Sequence, residues 1–168
     1  MNTTFTGIIR PYQPQDTEHL AGVYRDAVRT TGAQAYGEEQ VRVWALYPDD
    51  LQEFQTRLLR GVTLVAEEAG CIAAFGQLEP SDHLAFLYCA GRHGRRGIGS
   101  AIYLALEARA FEQGVARIHT DASRISRAFF AKHGFEVIGE ERVDRCGVEF
   151  ERFRMVKPNV GWSLRNEG

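Results

Sequence analysis

From Cys89 to Leu104 the chain reads CAGRHGRRGIGSAIYL, and here the residue types most suited to chemistry crowd together. Gly91, Gly94, Gly97 and Gly99 are interspersed with Arg92, Arg95 and Arg96, and an apolar helical pattern follows directly. The first turn of a helix has unpaired backbone N–H groups and a partial positive charge. A phosphate placed there meets several donors at once. Glycines remove the side chains that would keep its oxygens away from the backbone. Arginines add charge-assisted donors. Arg95-Arg96-Gly97-Ile98-Gly99-Ser100 therefore reads as a phosphate cradle. The alternative is a glycine-rich connection with solvated arginines. Its position between an apolar strand and a strongly amphipathic helix favours the cradle.

Two familiar nucleotide cradles do not fit. A P-loop needs Gly-x-x-x-x-Gly-Lys-Ser/Thr. Gly94 and Gly99 have that spacing, but Ser100 stands where the lysine belongs. A dinucleotide fingerprint needs a third glycine three residues after Gly99, and Ile102 occupies that position.

The elements that must position this loop can be read from periodicity. Ile8 to Arg10 predicts a first strand. Asp16 predicts the cap of a helix over 17–30, with Leu20, Val23, Tyr24, Ala27 and Val28 on one face. Helical patterns follow over 38–46 and 49–59. The period then drops to that of strands over 62–67, 71–78 and 84–89. A helix over 97–113 follows the loop, then a strand over 116–121 and a short helix over 123–133. Two strands close the pattern, over 135–143 and 148–156. In the last one the apolar residues change face, which predicts a bulge near Glu151-Arg152. The order implies an α/β fold, a mixed sheet with helices on its faces.

With the cradle in that setting, LYCAGRHGRRGIGSAIYLALE resembles the strand–loop–helix core of the GCN5-related N-acetyltransferases. Their acyl-CoA loop is commonly Gln/Arg-x-x-Gly-x-Gly/Ala. Gly97 and Gly99 match its two glycines, while Gly94 departs from the usual first residue. A second stretch, SRISRAFFAKHGF, is similar to the family's terminal pattern through Ser123, Phe129, Gly134 and Phe135. The resemblance covers about residues 7–157, and Glu39, Gln40 and Trp44 with the stretch 75–88 resemble an uncharacterised bacterial subgroup.

The resemblance implies a mostly antiparallel central sheet, with acetyl-CoA in a cleft between splayed central strands. Leu87, Tyr88 and Cys89 would bond the pantetheine arm through their backbone. Gly94 to Ser100 would hold the pyrophosphate, and Ser123, Phe129 and Phe130 would line the arm. The reaction implied is direct attack of a small molecule's primary amine on the thioester. The family's usual acid is a tyrosine, and Phe130 stands in its place. Tyr88, water or an unassisted thiolate would have to serve instead. Glu79 and His83 are the candidate bases, beside a turn between central strands. The Cys89 N–H is the candidate oxyanion donor, and a buried, inert thiol is expected there. Tyr36, Trp44 and Tyr47 are candidate acceptor walls; aromatics at helical spacing also serve as core. His119 to Asp121 is expected simply to face solvent. A CoA-binding sensor without catalysis is the competing reading, and the Phe130 substitution supports it.

Composition bounds the rest. The 168 residues suit one domain, with a core over about 7–157 and a tail over 158–168 that is either disordered or laid on a neighbouring subunit. A homodimer is compatible with such a fold. A net charge of −2 argues against broad nucleic-acid or membrane affinity, although Arg124 and Arg127 add to the basic loop. No apolar run approaches the roughly 20 residues of a spanning helix. Three scattered cysteines suggest reduced thiols in a cytoplasmic protein. The histidines show no metal-ligand spacing with them, so no metal is expected.

Overall fold

The computed structural model describes residues 4–94 and 96–159. Arg95 and the tail beyond residue 159 lie outside the described residues. Seven strands form one sheet: β1 (Ile8–Pro11), β2 (Val62–Glu68), β3 (Cys71–Leu78), β4 (His83–Cys89), β5 (Arg117–Ala122), β6 (Glu136–Arg145) and β7 (Val148–Pro158). Their order in space is β1-β2-β3-β4-β5-β7-β6. Every neighbouring pair is antiparallel except β4 with β5. The helices are α1 (Thr17–Thr30), α2 (Glu38–Ala45), α3 (Leu51–Leu59), α4 (Ile98–Glu112) and α5 (Ser126–Lys132).

Both faces of the sheet are covered. Leu64 and Ala66 of β2 face α4, where they join Ile102, Leu106, Ile118 and Met155. Val65, between them, faces the other way, among Leu20, Tyr24, Phe54 and Phe75. Successive strand residues point to opposite faces, so a strand buried on both sides reads as one apolar run. That is why 62–67 does not alternate.

Three local expectations differ from the structure. Asp16 does not cap α1 through its side chain. Its carboxylate instead accepts from the Arg10 guanidinium at 2.8 and 3.0 Å and from the Gln13 N–H at 2.9 Å. The bulge of the last hairpin lies on β6, where Ile138 is the extra residue between Val137 and Gly139. β7 keeps regular register through Glu151 and Arg152. Phe150 packs with Tyr36 and Val43 while Phe153 and Met155 pack toward α4, so the change of face is a change of which side the sheet buries. Finally, α4 is apolar around most of its circumference rather than strongly amphipathic. Ile98, Ile102, Leu106 and Ala110 form the buried stripe, yet Leu104 on another face is 52% exposed.

The parallel pair is short. His83 pairs with His119 and Leu84 with Thr120. One residue later β4 bulges: Gln77 and Leu78 of β3 face Phe86 and Leu84, which leaves Ala85 unpaired between them. A bulge adds a bend to its strand. Beyond it β4 stays on β3, and its partnership with β5 has ended.

Candidate active site

The strands diverge over two adjoining cavities. The larger, about 530 Å³, lies between the end of α1 with the turn after it and the starts of α4 and α5. The smaller, about 230 Å³, opens toward α2, α3 and the β6–β7 hairpin. Both are lined by Trp44, Leu84, Ala85, Tyr88, Asp121 and Ser123, so they meet at the gap between β4 and β5.

Of the residues expected to hold a cofactor, Leu87, Tyr88, Cys89, Gly94, Gly99, Ser123, Phe129 and Phe130 line the larger cavity. The edge of β4 beyond Leu84 supplies open backbone. Ala90 donates its N–H to Ala73 O across the β3 side, so by strand alternation the Cys89 N–H points into the gap. Gly97 starts α4 with φ of +79°, a left-handed conformation that favours glycine. A Cβ built there would meet no atom within 4 Å, so the space over the helix N-terminus is open. The loop, the free strand edge and the cavity together fit an extended amide-rich chain that ends in phosphates.

The side chains of the loop contribute less than expected. Arg96 points away and makes a bidentate pair with Glu68, at 2.6 and 2.8 Å, holding that carboxyl below its usual range. Arg92 lines a separate groove beside α1. Ile98 is a core residue, 1% exposed, so only its backbone can face a ligand. Ser100 Oγ lies 3.1 Å from His133 Nε2. Ser123 Oγ accepts from the N–H groups of Ile125 and Ser126 and so caps the turn into α5, a structural role at a cavity wall. Phe130 is 4% exposed and packs edge-on against Phe129 and Phe135. The Cys89 thiol is pushed up to about 11 by burial, which leaves little thiolate at neutral pH.

Tyr36, Trp44 and Tyr47 all line the smaller cavity, together with Tyr88 and His83. The Tyr36 hydroxyl accepts from the Arg124 N–H at 2.9 Å, and the Trp44 ring meets Tyr36 edge-on. Trp44 Nε1 donates to the Tyr88 hydroxyl at 3.4 Å. Burial raises the Tyr88 phenol above its ordinary range, so it stays protonated.

The two candidate bases separate. Glu79 lines neither cavity. His83 lines the smaller one and is gripped from both ends. Its Nδ1 lies 3.2 Å from Glu79 O, a carbonyl that can only accept, so Nδ1 carries a hydrogen and Nε2 is the nitrogen turned toward Asp121. Nε2 is 3.6 Å from Asp121 Oδ2. Asp121 is exposed, as expected, and it also lines both cavities. It was illegible in the sequence because only the parallel pairing of β4 with β5 brings it beside His83.

The sheet with one parallel pair, the strand that leaves its neighbour at a bulge, and the glycine-opened helix behind it define a class of acyltransferase. Residues 32–157 match the family model described as an acetyltransferase (GNAT) domain, and the chain belongs to that N-acetyltransferase family. It is 29% identical over 148 residues to the uncharacterised N-acetyltransferase YafP of Escherichia coli K12, covering 88% of this chain and 93% of that one. A GCN5-related N-acetyltransferase of Rhodopseudomonas palustris, described as aminotransferase, class II, has the same fold with a TM-score of 0.90 at 30% identity, over 95% of this chain and 98% of its own. The PaiA N-acetyltransferase of Thermoplasma acidophilum, solved in complex with coenzyme A, shares the fold with a TM-score of 0.74 at 22% identity, over 92% and 99% of the two chains. Among the described residues no helix is long and apolar enough to cross a membrane.

Proposed function

We propose that this chain transfers the acetyl group of acetyl-CoA to the primary amine of a small molecule, by direct attack when both are bound. The observation that carries this reading is the joined cleft: two cavities meet where β4 leaves β5. The larger accommodates the cofactor and the smaller the acceptor.

Acetyl-CoA supplies an activated thioester at that junction. The open edge of Leu87, Tyr88 and Cys89 aligns its amide arm. Backbone N–H groups from Gly97 to Ser100 hold its phosphates. His83 Nε2 takes the proton from the incoming ammonium, and Asp121 at 3.6 Å stabilises the imidazolium that forms. The Cys89 N–H donates to the oxygen that gains negative charge. Tyr88, whose hydroxyl lies at the same junction, gives its proton to the departing sulfur. This assigns to Tyr88 the task that Phe130, lacking a hydroxyl, cannot do. Cys89 forms no covalent bond.

Release of CoA thiol from acetyl-CoA in the presence of a panel of small amines tests the reading. Amine-dependent release is expected. Binding of acetyl-CoA without release for any amine would favour the second reading, a sensor, to which the Phe130 substitution lends its support.

A further inference from the structure

The acceptor side of the cleft carries more positive charge than its own carboxylates neutralise. Five charged side chains other than His83 line the smaller cavity: Arg57, Arg145, Arg152, Asp121 and Glu151. Three of them are already engaged. Arg152 reaches Glu141 at 2.6 Å and Asp121 at 3.9 Å. Glu151 is taken by Arg124 at 3.1 Å. Arg57 and Arg145 remain, and among the described residues neither guanidinium has an ion pair or a side-chain hydrogen bond. Arg57 Nε is buried and has no hydrogen-bond partner.

A buried donor left unsatisfied is costly, and a charged one more so. The two guanidiniums are supported by aromatic faces rather than by carboxylates. Arg57 lies 5.9 Å from the Phe86 ring centroid and Arg145 5.9 Å from that of Phe150. Such support positions a cation without neutralising it. An arginine fork kept open in a cavity is matched to an anion that arrives with the ligand. The same cavity is walled by Tyr36, Trp44 and Tyr47, and His83 lines it next to Leu84 of the junction.

We propose that the acceptor is an amine that also bears a carboxylate and an aromatic body, of which an aromatic amino acid is the simplest example. The carboxylate is held by Arg57, with Arg145 adding charge. The ring lies among the aromatic walls, and the amine is turned toward His83 Nε2. This rests on the assignment of the smaller cavity to the acceptor.

The test uses matched pairs that differ only in the carboxylate: phenylalanine and phenethylamine, tyrosine and tyramine, tryptophan and tryptamine. Each is titrated with saturating acetyl-CoA, and kcat/KM is measured by thiol release. The carboxylated member of at least one pair is expected to be preferred about tenfold or more, through a lower KM. Arg57→Leu should bring that ratio near unity, and Arg145→Leu, on the exposed hairpin, should lower it. A thermal shift with acetyl-CoA shows that each variant is folded and still binds its cofactor. Equal or better use of the decarboxylated amines overturns the proposal. So does a wild-type protein that responds to acetyl-CoA but uses no carboxylated member, or an Arg57→Leu variant that keeps the preference. A wild-type protein with no response to acetyl-CoA strikes instead at the transferase reading on which this one rests.

Discussion

His83 Nε2 lies 3.6 Å from Asp121 Oδ2, across two strands that diverge just beyond the Leu84–Thr120 pair. The last parallel contact of the sheet thus delivers an imidazole and a carboxylate to the mouth of the gap it opens. His83→Gln should lower kcat roughly 10²–10⁴-fold, the usual worth of a general base. Asp121→Asn should cost less, because the imidazole remains in place. In both variants the affinity for acetyl-CoA, measured by calorimetry, should stay unchanged.

Gly99→Glu should abolish acetyl-CoA binding with the fold kept. A Cβ at position 99 meets only the Phe129 ring, at 3.8 Å, which is ordinary contact. The carboxylate would then project into the cavity that Gly99 lines, against phosphates of like charge. Gly97→Glu should do the same but also lower the melting temperature, because its φ of +79° strains any side chain. Calorimetric affinity and a melting curve separate the two effects. Unchanged affinity in Gly99→Glu would mean the cradle lies elsewhere.

Tyr88→Phe should reduce kcat and leave the affinity for acetyl-CoA in place, since only the hydroxyl is lost. Phe130→Tyr should also bind normally, and it should recover some of the turnover lost in Tyr88→Phe. A large fall in acetyl-CoA affinity for Phe130→Tyr would mean α5 sits differently against the cofactor.

The three thiols should alkylate in two classes. Cys71 and Cys146 are exposed and should react first with iodoacetamide at pH 8. Cys89, whose thiol burial pushes up to about 11, should react last. Cys89→Ala should keep kcat within about threefold. Loss of all turnover would restore the covalent route.

Asp16 should make stability fall in acid. The Arg10 guanidinium and the Gln13 N–H hold its carboxyl below the ordinary range. A folded-state pKa below the unfolded one contributes stability above the unfolded value, roughly 4. That contribution is lost as pH falls through the folded value. Asp16→Asn should therefore cost about 2 kcal/mol near neutrality, and progressively less in acid. Denaturant melts of both proteins across that range measure it.

The element order was legible because period and punctuation are local. The pattern over 17–30 and Thr17–Thr30 coincide, and both Gly114 and Gly134 take positive φ where a helix stops. Tyr36, Trp44 and Tyr47 stood out by residue type, and they line one cavity. What could not be read was pairing between distant segments. Arg96 reads as a phosphate ligand until Glu68, 28 residues away, takes it. Asp121 and Arg57 have no local signature, and only the fold carries them to the cleft. The bulge at Ala85 is set by the β3 register and has no marker in LAFLYC.

The most direct test of the central claim, that the diverging strands hold acetyl-CoA, is a thermal-shift comparison of acetyl-CoA, CoA, ATP and NAD at equal concentration. A ligand at 100 times its Kd stabilises by roughly 2.7 kcal/mol, several degrees for a domain of this size. The structure predicts a shift with acetyl-CoA and CoA alone. A shift with ATP or NAD and none with either CoA species would contradict it.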